Sequence, residues 1–231
     1  MALFAIGDLH LSLGAAKPMD IFHGWDGYVD KLKVGFERVG ADDTVVLCGD
    51  LSWGMSLEDA REDFRFIDEL PGKKILLKGN HDYWFTTATK AQNFFAENGF
   101  APMEILNNNA FSYGDAAICG TRGWIYDENI DGTHNGKIMA REVLRLEASL
   151  KAAEKLTPSE ILCFFHYPPR FGNYVCEDLI ALMVKYGVRR CWYGHVHGYG
   201  HRNAVTGTVD GIEYNMISAD YVGFVPQKVE I

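Results

Sequence analysis

The sequence predicts an α/β fold in a single domain, residues 1–231, and three observations carry that prediction. Short apolar runs alternate with stretches of helical periodicity, the pattern of βαβ units and a mostly parallel sheet. From Ala204 onward similar runs follow one another with no helix between them, which predicts antiparallel hairpins. No repeat, low-complexity tract or linker divides the chain beyond the short Asn107-Asn108-Asn109.

The runs Leu3–Ile6, Val45–Cys48, Ile75–Leu77, Ala116–Cys119, Ile161–Phe165 and Cys191–Tyr193 are too short for helices and are bounded by glycine or polar residues, so they read as buried strands. In the first gap Val29, Leu32, Phe36 and Val39 recur at helical spacing, and in the second Leu57, Ala60, Phe64 and Ile67 do the same. Each set makes one apolar face. Ser56 with Asp59 three residues on resembles a capping box for the second helix, while Gly99 and Gly187 stand where helices end in a left-handed residue. Lys137 to about Lys155 reads as a further helix through Ile138, Val143, Leu144 and Leu150, with Pro158 closing the turn after it. Asp210-Gly211, between Gly207–Val209 and Ile212–Tyr214, is a strong short-range hairpin signal.

At 48% hydrophobic and 23% charged, the composition excludes disorder and coiled coil. A chain of 231 residues needs no disulfides, because folding buries roughly 70% of its unfolded surface. The five cysteines are an odd number, and four lie inside strand-like runs, so they read as buried thiols. With no C-x-x-C pair, any metal must be held by oxygen and nitrogen. A net charge of −9 argues against a nucleic-acid partner gripped along a basic face. Lys73-Lys74, Arg189-Arg190 and the Lys137, Arg141, Arg145 series all read as solvated surface. No apolar stretch approaches the ~18 residues of a membrane span, and the start Met-Ala-Leu-Phe has no cationic segment before it. The expectation is a cytoplasmic protein with no membrane partner.

Chemistry-bearing residues gather at the carboxyl ends of the strands. Gly7-Asp8-Leu9-His10 follows the first, Gly49-Asp50 the second and Gly79-Asn80-His81-Asp82 the third; His166 ends a later strand and Gly194-His195-Val196-His197 the one after. Five of the eight histidines fall in these segments. Ligands of open α/β sheets bind at such ends, and a preceding glycine allows the tight turn that exposes the next side chain. Imidazoles, carboxylates and one amide suit Mn, Fe or Zn ions. Asp8, His10, Asp50, Asn80, His166, His195 and His197 are too many for one ion but fill two sites if one carboxylate bridges, and Asp50 is the bridging candidate. Two ions about 3.5–4 Å apart are the usual arrangement for phosphoester hydrolysis.

The series D-x-H, G-D, G-N-H-D, H and G-H-x-H, from residue 8 to residue 197, resembles the calcineurin-like metallophosphoesterase superfamily. The resemblance implies the metallo-dependent phosphatase fold, a four-layer α-β-β-α sandwich of two mixed β-sheets flanked by helices. It also implies that Asp8, His10, Asp50 and His197 hold one metal, and that Asp50, Asn80, His166 and His195 hold the other. His81 is similar to the catalytic histidine that protonates the leaving group. In this scheme two cations polarise the phosphoryl oxygens and acidify a bridging water, which attacks phosphorus in line. A positioned imidazole adds about 10²–10⁴ in rate. The implied activity is dimetal-dependent hydrolysis of a small phosphomonoester or phosphodiester.

Two departures bear on the subfamily. Trp53 stands where protein phosphatases and several nucleases carry an acid, and it cannot supply the tyrosinate of purple acid phosphatases, which Asp50-Leu51-Ser52-Trp53 otherwise resembles. Gly54 replaces an arginine of the protein phosphatases. The alternatives are a nuclease, a protein phosphatase, or a non-catalytic scaffold like the retromer subunit, the last opposed by the presence of His81 and all seven ligand positions. Arg122 and Arg170, each shortly after a strand end, are the candidates for binding substrate phosphate bidentately. His23, His134 and His201 read as plain loop histidines, and Trp25, Trp84 and Trp124 as packing residues. The loop from Thr121 to Gly136 is expected to border the site, where Asp127, Glu128 and Asp131 would repel a long polyanion.

Overall fold

The computed structural model describes residues 1–125 and 132–231. Its strands are β1 (Leu3–Ile6), β2 (Thr44–Cys48), β3 (Lys73–Leu77), β4 (Glu104–Leu106), β5 (Phe111–Tyr113), β6 (Ala116–Thr121), β7 (Glu160–Phe165), β8 (Arg170–Phe171), β9 (Tyr174–Val175), β10 (Arg190–Tyr193), β11 (Gly207–Val209), β12 (Ile212–Met216) and β13 (Gln227–Val229). The helices are α1 (Tyr28–Phe36), α2 (Arg61–Glu69), α3 (Ala88–Glu97), α4 (Gly132–Glu154) and α5 (Glu177–Lys185).

The strands form two mixed sheets, ordered β13-β1-β2-β3-β4 and β11-β12-β10-β7-β6-β5, with β8 and β9 as a separate small hairpin. Strand alternation builds the layers. Leu3, Ala5, Val46, Cys48 and Ile75 face inward and meet Ile118, Leu162, Phe164 and Trp192 of the second sheet. Phe4, Ile6, Val45 and Leu47 point outward to Leu32 and Phe36 of α1 and to Phe64 and Ile67 of α2. On the far side Cys119, Cys163, Phe165 and Cys191 meet Leu146 and Leu150 of α4 and Leu179 and Met183 of α5. The result is the expected α-β-β-α sandwich, and all five cysteines are buried and free. Among the described residues no helix is long and apolar enough to cross a membrane.

Several expectations need correction. The tail is not purely antiparallel: β11 pairs β12 antiparallel through Asp210-Gly211, but β12 lies parallel to β10, and β13 crosses to the first sheet to pair antiparallel with β1. The Ser56 hydroxyl does accept the Asp59 N–H at 3.2 Å, yet it closes a turn that precedes α2 rather than capping it. Lys74 is buried, its ammonium bonding the Leu70 carbonyl, because it sits on a strand whose neighbouring residues line the core. Helix α4 begins at Gly132, so His134 is helical and not in a loop; Asp127, Glu128 and Asp131 lie outside the described residues.

Candidate metal centre

The two sheets meet at their carboxyl ends, and the backbone there continues the pairing beyond the strands. Asp8 N–H donates to Gly49 O at 2.8 Å and His10 N–H to Asp50 O at 2.9 Å, so the segments after β1 and β2 run side by side. Gly194 N–H donates to His166 O at 3.1 Å, and Ala219 N–H to Gly7 O at 3.0 Å, which ties the end of β12 to the end of β1 in the other sheet. The ends carrying the seven expected ligands are thus fastened to one another before any side chain is considered.

Asp8, His10, Asp50 and His195 adopt φ of 61°, 46°, 51° and 70°, the left-handed region that costs most residues energy. The sharp turn therefore falls on the candidate ligand itself. Of the four glycines ahead of these clusters only Gly49 has positive φ. The others answer to space: a Cβ on Gly79 would collide with Asp50, and one on Gly194 with the Asp8 carboxylate. The expected turn role of these glycines is corrected to close approach.

The side chains converge in two groups, Asp8 with His10 and His197, and Asp50 with His166 and His195, each offering ligand atoms within 4.8 Å of one another. Asn80 joins the second group, its Oδ1 2.6 Å from His166 Nε2 and 2.9 Å from His195 Nδ1. Asp50 Oδ2 stands between the groups, 3.7 Å from His10 Nε2 and 3.5 Å from His166 Nε2. His10 Nε2 and His197 Nε2 face each other at 3.2 Å.

Electrostatics favour a cation here. Asp8 Oδ1 is buried with no hydrogen-bond partner among the described residues, which an ordinary folded carboxylate avoids. Burial, then the neighbouring carboxylates Asp82 and Asp8, push the Asp50 carboxyl well up. Burial holds His166 and His195 down to about 3, so both imidazoles keep free lone pairs near neutral pH. His10 is lowered by burial and by His197. His197 is the exception: burial opposes its charge, but Asp8 and Asp220 raise it to about 10. Three imidazoles that burial keeps neutral, His10, His166 and His195, beside the unpartnered Asp8 oxygen fit a transition-metal pair.

The sequence profile of the calcineurin-like phosphoesterases matches residues 1–199. The chain belongs to this family. Its members are metal-dependent phosphoesterases in general, and the two sheets with flanking helices are their fold. No curated protein matches the chain. Among solved structures it is similar to a protein of unknown function from Aquifex aeolicus, at 15% identity and TM-score 0.53, covering 98% of this chain and 95% of that one. It is also similar to a phosphopantetheinyl hydrolase from Mycobacterium tuberculosis, at 14% identity and TM-score 0.57 over 99% and 95% of the two chains. A third is a protein from Thermus thermophilus, at 14% identity and TM-score 0.59 over 99% and 97%. These likenesses concern the fold.

In this phosphoesterase a cavity of about 980 Å³ opens onto the cluster, lined by His10, Asp50, His81, His195 and His197 and walled by Met19, Phe22, Trp25, Trp53 and Tyr199. His23 and His201, expected to be plain loop residues, also line it, and His201 Nε2 lies 3.2 Å from Asp220 Oδ2. The backbone N–H of His81 donates to Asp50 Oδ1 at 2.7 Å, tying this ring to the central carboxylate. No carboxylate meets the ring itself: its Nδ1 is buried without a hydrogen-bond partner among the described residues. Trp53 takes that place, stacked on His10 at 5.0 Å and tilted against His81 at 4.4 Å.

Three supporting acids were not singled out from sequence. Asp220 Oδ1 lies 2.8 Å from His197 Nδ1, which leaves His197 Nε2 toward Asp8. It follows the end of β12 just as the ligands follow theirs, so the strand-end rule could have found it. Asp82 accepts four N–H donors, and Asp63 takes the Ser52 hydroxyl and the Leu13 N–H. The two arginines lie elsewhere. Arg122 pairs with Glu142 at 3.4 Å, Arg170 with Asp210 at 2.5 Å and with the Tyr214 hydroxyl at 3.2 Å, and neither lines the cavity of His81.

Proposed function

We propose that the chain is a dimetal phosphohydrolase acting on a small phosphomonoester or phosphodiester. The convergence of seven donor side chains in two groups that share Asp50, with His81 on the cavity side, carries this reading. Asp8, His10, Asp50 and His197 would hold one ion, and Asp50, Asn80, His166 and His195 the other, with Mn, Fe or Zn suited to the donors. Two such ions, when bound, supply Lewis acidity toward the phosphoryl group and acidify water.

The chain's own residues do the rest. The Cys48 carbonyl, 3.0 Å from His166 Nδ1, fixes that ring with Nε2 inward, and Asp220 does the same for His197. Asp50 positions the backbone of His81, and Trp53 fixes its ring. With Nδ1 buried, Nε2 of His81 is the nitrogen able to hand a proton to the leaving oxygen. Burial and Lys17 hold this imidazole below its usual value, so the negative charge of a bound phosphate is what draws a proton onto it. The aromatic walls exclude water beside the reacting group and favour a compact organic substituent.

The test is turnover of a nitrophenyl phosphate monoester beside the bis-nitrophenyl diester, by protein stripped of metal and reloaded with Mn, Fe or Zn. Metal-dependent hydrolysis of either supports the reading, and the preferred ester names the class. No turnover with two ions bound would favour a scaffold. Two substitutions probe the centre without removing a ligand. Asp220→Asn is expected to weaken metal binding about 10–100-fold by releasing the His197 ring, read by titration of Mn against a fluorescent chelator. Gly194→Ala is expected to displace the Asp8 carboxylate and cost at least about tenfold in the same titration; parental affinity would show that the close approach is dispensable.

A further inference from the structure

A second cavity, of about 240 Å³, opens where the ends of β3, β4 and β6 meet α4 and shares no lining residue with the one at His81. Four cations line it, Lys78, Arg122, Arg141 and Arg145, against one acid, Glu142. That carboxylate is wholly buried and already engaged: Oε1 takes Arg145 at 2.7 Å and Arg122 at 3.4 Å, and Oε2 the Thr121 hydroxyl at 2.7 Å. Among the described residues Lys78 and Arg141 have no ion pair, and the Nε of Arg122 is buried without a hydrogen-bond partner. Asn107, Asn108 and Thr86 add neutral polar groups to the wall. Among those residues Lys78 donates only to the Phe85 carbonyl, at 3.4 Å. In a chain of net charge −9 such a surplus of cations over acids is not a general surface property.

Arg141 is exposed, as expected of a solvated stripe, but it and the partly buried Arg145 also line this cavity, where Arg145 pairs with Glu142. Like charges crowd there, since Lys78, Arg122, Arg141 and Arg145 line one small cavity against the single carboxylate of Glu142. Guanidinium forks with a spare N–H and a half-buried ammonium match a tetrahedral oxyanion. The cavity is also joined to the metal centre by short stretches of chain. Lys78 precedes Gly79-Asn80, and the Arg122 carbonyl accepts the N–H of Tyr167, next to His166, at 2.8 Å.

We propose that this cavity is a binding site for a phosphate-class dianion, separate from the position of the scissile phosphate and built by Lys78, Arg122, Arg141 and Arg145. The dianion is either a second phosphate of the substrate or free inorganic phosphate. The experiment is calorimetric titration of inorganic phosphate into the full chain, metal removed with chelator, at low ionic strength. One phosphate per chain is expected, weakened at least tenfold in Arg141→Glu and in Lys78→Met and retained in His10→Ala. The surface position of Arg141 and the neutral, similar shape of methionine at 78 keep both variants folded, as circular dichroism would show. No binding by the parent chain, parental affinity in both Arg141→Glu and Lys78→Met, or loss in His10→Ala alone would each overturn the proposal.

The source is then read from the metal-loaded protein, which rests on the phosphohydrolase reading. A KM that rises in Arg141→Glu more for an ester carrying a second phosphate than for the nitrophenyl ester names the substrate's own phosphate. A lost response of turnover to added inorganic phosphate names the free ion. Because the titration needs no turnover, phosphate binding in an inactive protein would sink only the catalytic reading, and turnover without cavity binding would sink only this one.

Discussion

Alanine at position 81 is expected to lower kcat by about 10²–10⁴ while both metal ions stay bound. The substitution removes a proton donor and nothing that holds the centre together. His81 reaches Asp50 through its backbone N–H, which alanine keeps, and its ring touches Trp53 rather than a ligand carboxylate. Metal content by mass spectrometry should therefore match the parent. The loss should also depend on the leaving group. Nitrophenolate departs with little help from a proton, whereas an alkoxide needs one, so the variant should lose more on an alkyl ester than on the nitrophenyl ester. An equal loss on both, with metal lost too, would make His81 a structural support of the centre. Full rate on both would remove it from catalysis.

The contrast between what the sequence showed and what it hid follows from how far each signal reaches along the chain. The candidate ligand positions were legible because each sits directly after an apolar strand, and β1, β2, β3, β7 and β10 all end where the motifs begin. The strain was not: glycines were visible in the motifs, but the left-handed residues are Asp8, His10, Asp50 and His195 themselves. Partners distant in sequence were hidden as well. Asp220 serves His197 across 23 residues, and Arg122 meets Glu142 across 20. A repeat of Lys137, Arg141 and Arg145 says which residues share a helix face, but not that the last two also line a cavity whose other cations come from the ends of β3 and β6. Trp53 was visible as a departure from related enzymes, yet only its 4.4 Å contact with His81 shows an aromatic ring standing where an acid would orient the imidazole.

Asp82→Ala is expected to be the most destabilising single change at the centre, by about 4 kcal/mol or more, a large share of the roughly 5–15 kcal/mol that keeps a domain folded. The carboxylate is fully buried and accepts Leu51 N–H at 2.8 Å, Ser52 N–H at 3.2 Å, Trp84 Nε1–H at 2.8 Å and Gly79 N–H at 2.7 Å. Alanine strands four donors in a place water does not reach, and each costs about 1–3 kcal/mol, less whatever the loops recover by shifting. Asn is the informative comparison. It can still offer one oxygen to Leu51, Ser52 and Trp84, but it turns an amide N–H₂ toward the N–H of Gly79, so a loss of about 1–3 kcal/mol is expected. The consequence reaches the metals, because the three backbone donors belong to the two segments that carry Asp50 and Asn80. A thermal melt with and without Mn separates the effects: the parent should gain stability on adding Mn, and Asp82→Ala should gain much less, since its ligands are no longer held in place before the ion arrives. A variant that melts like the parent would show that the Asp50 and Asn80 loops are held by the backbone pairing alone. A variant that melts early but gains as much from Mn would confine Asp82 to the stability of the fold.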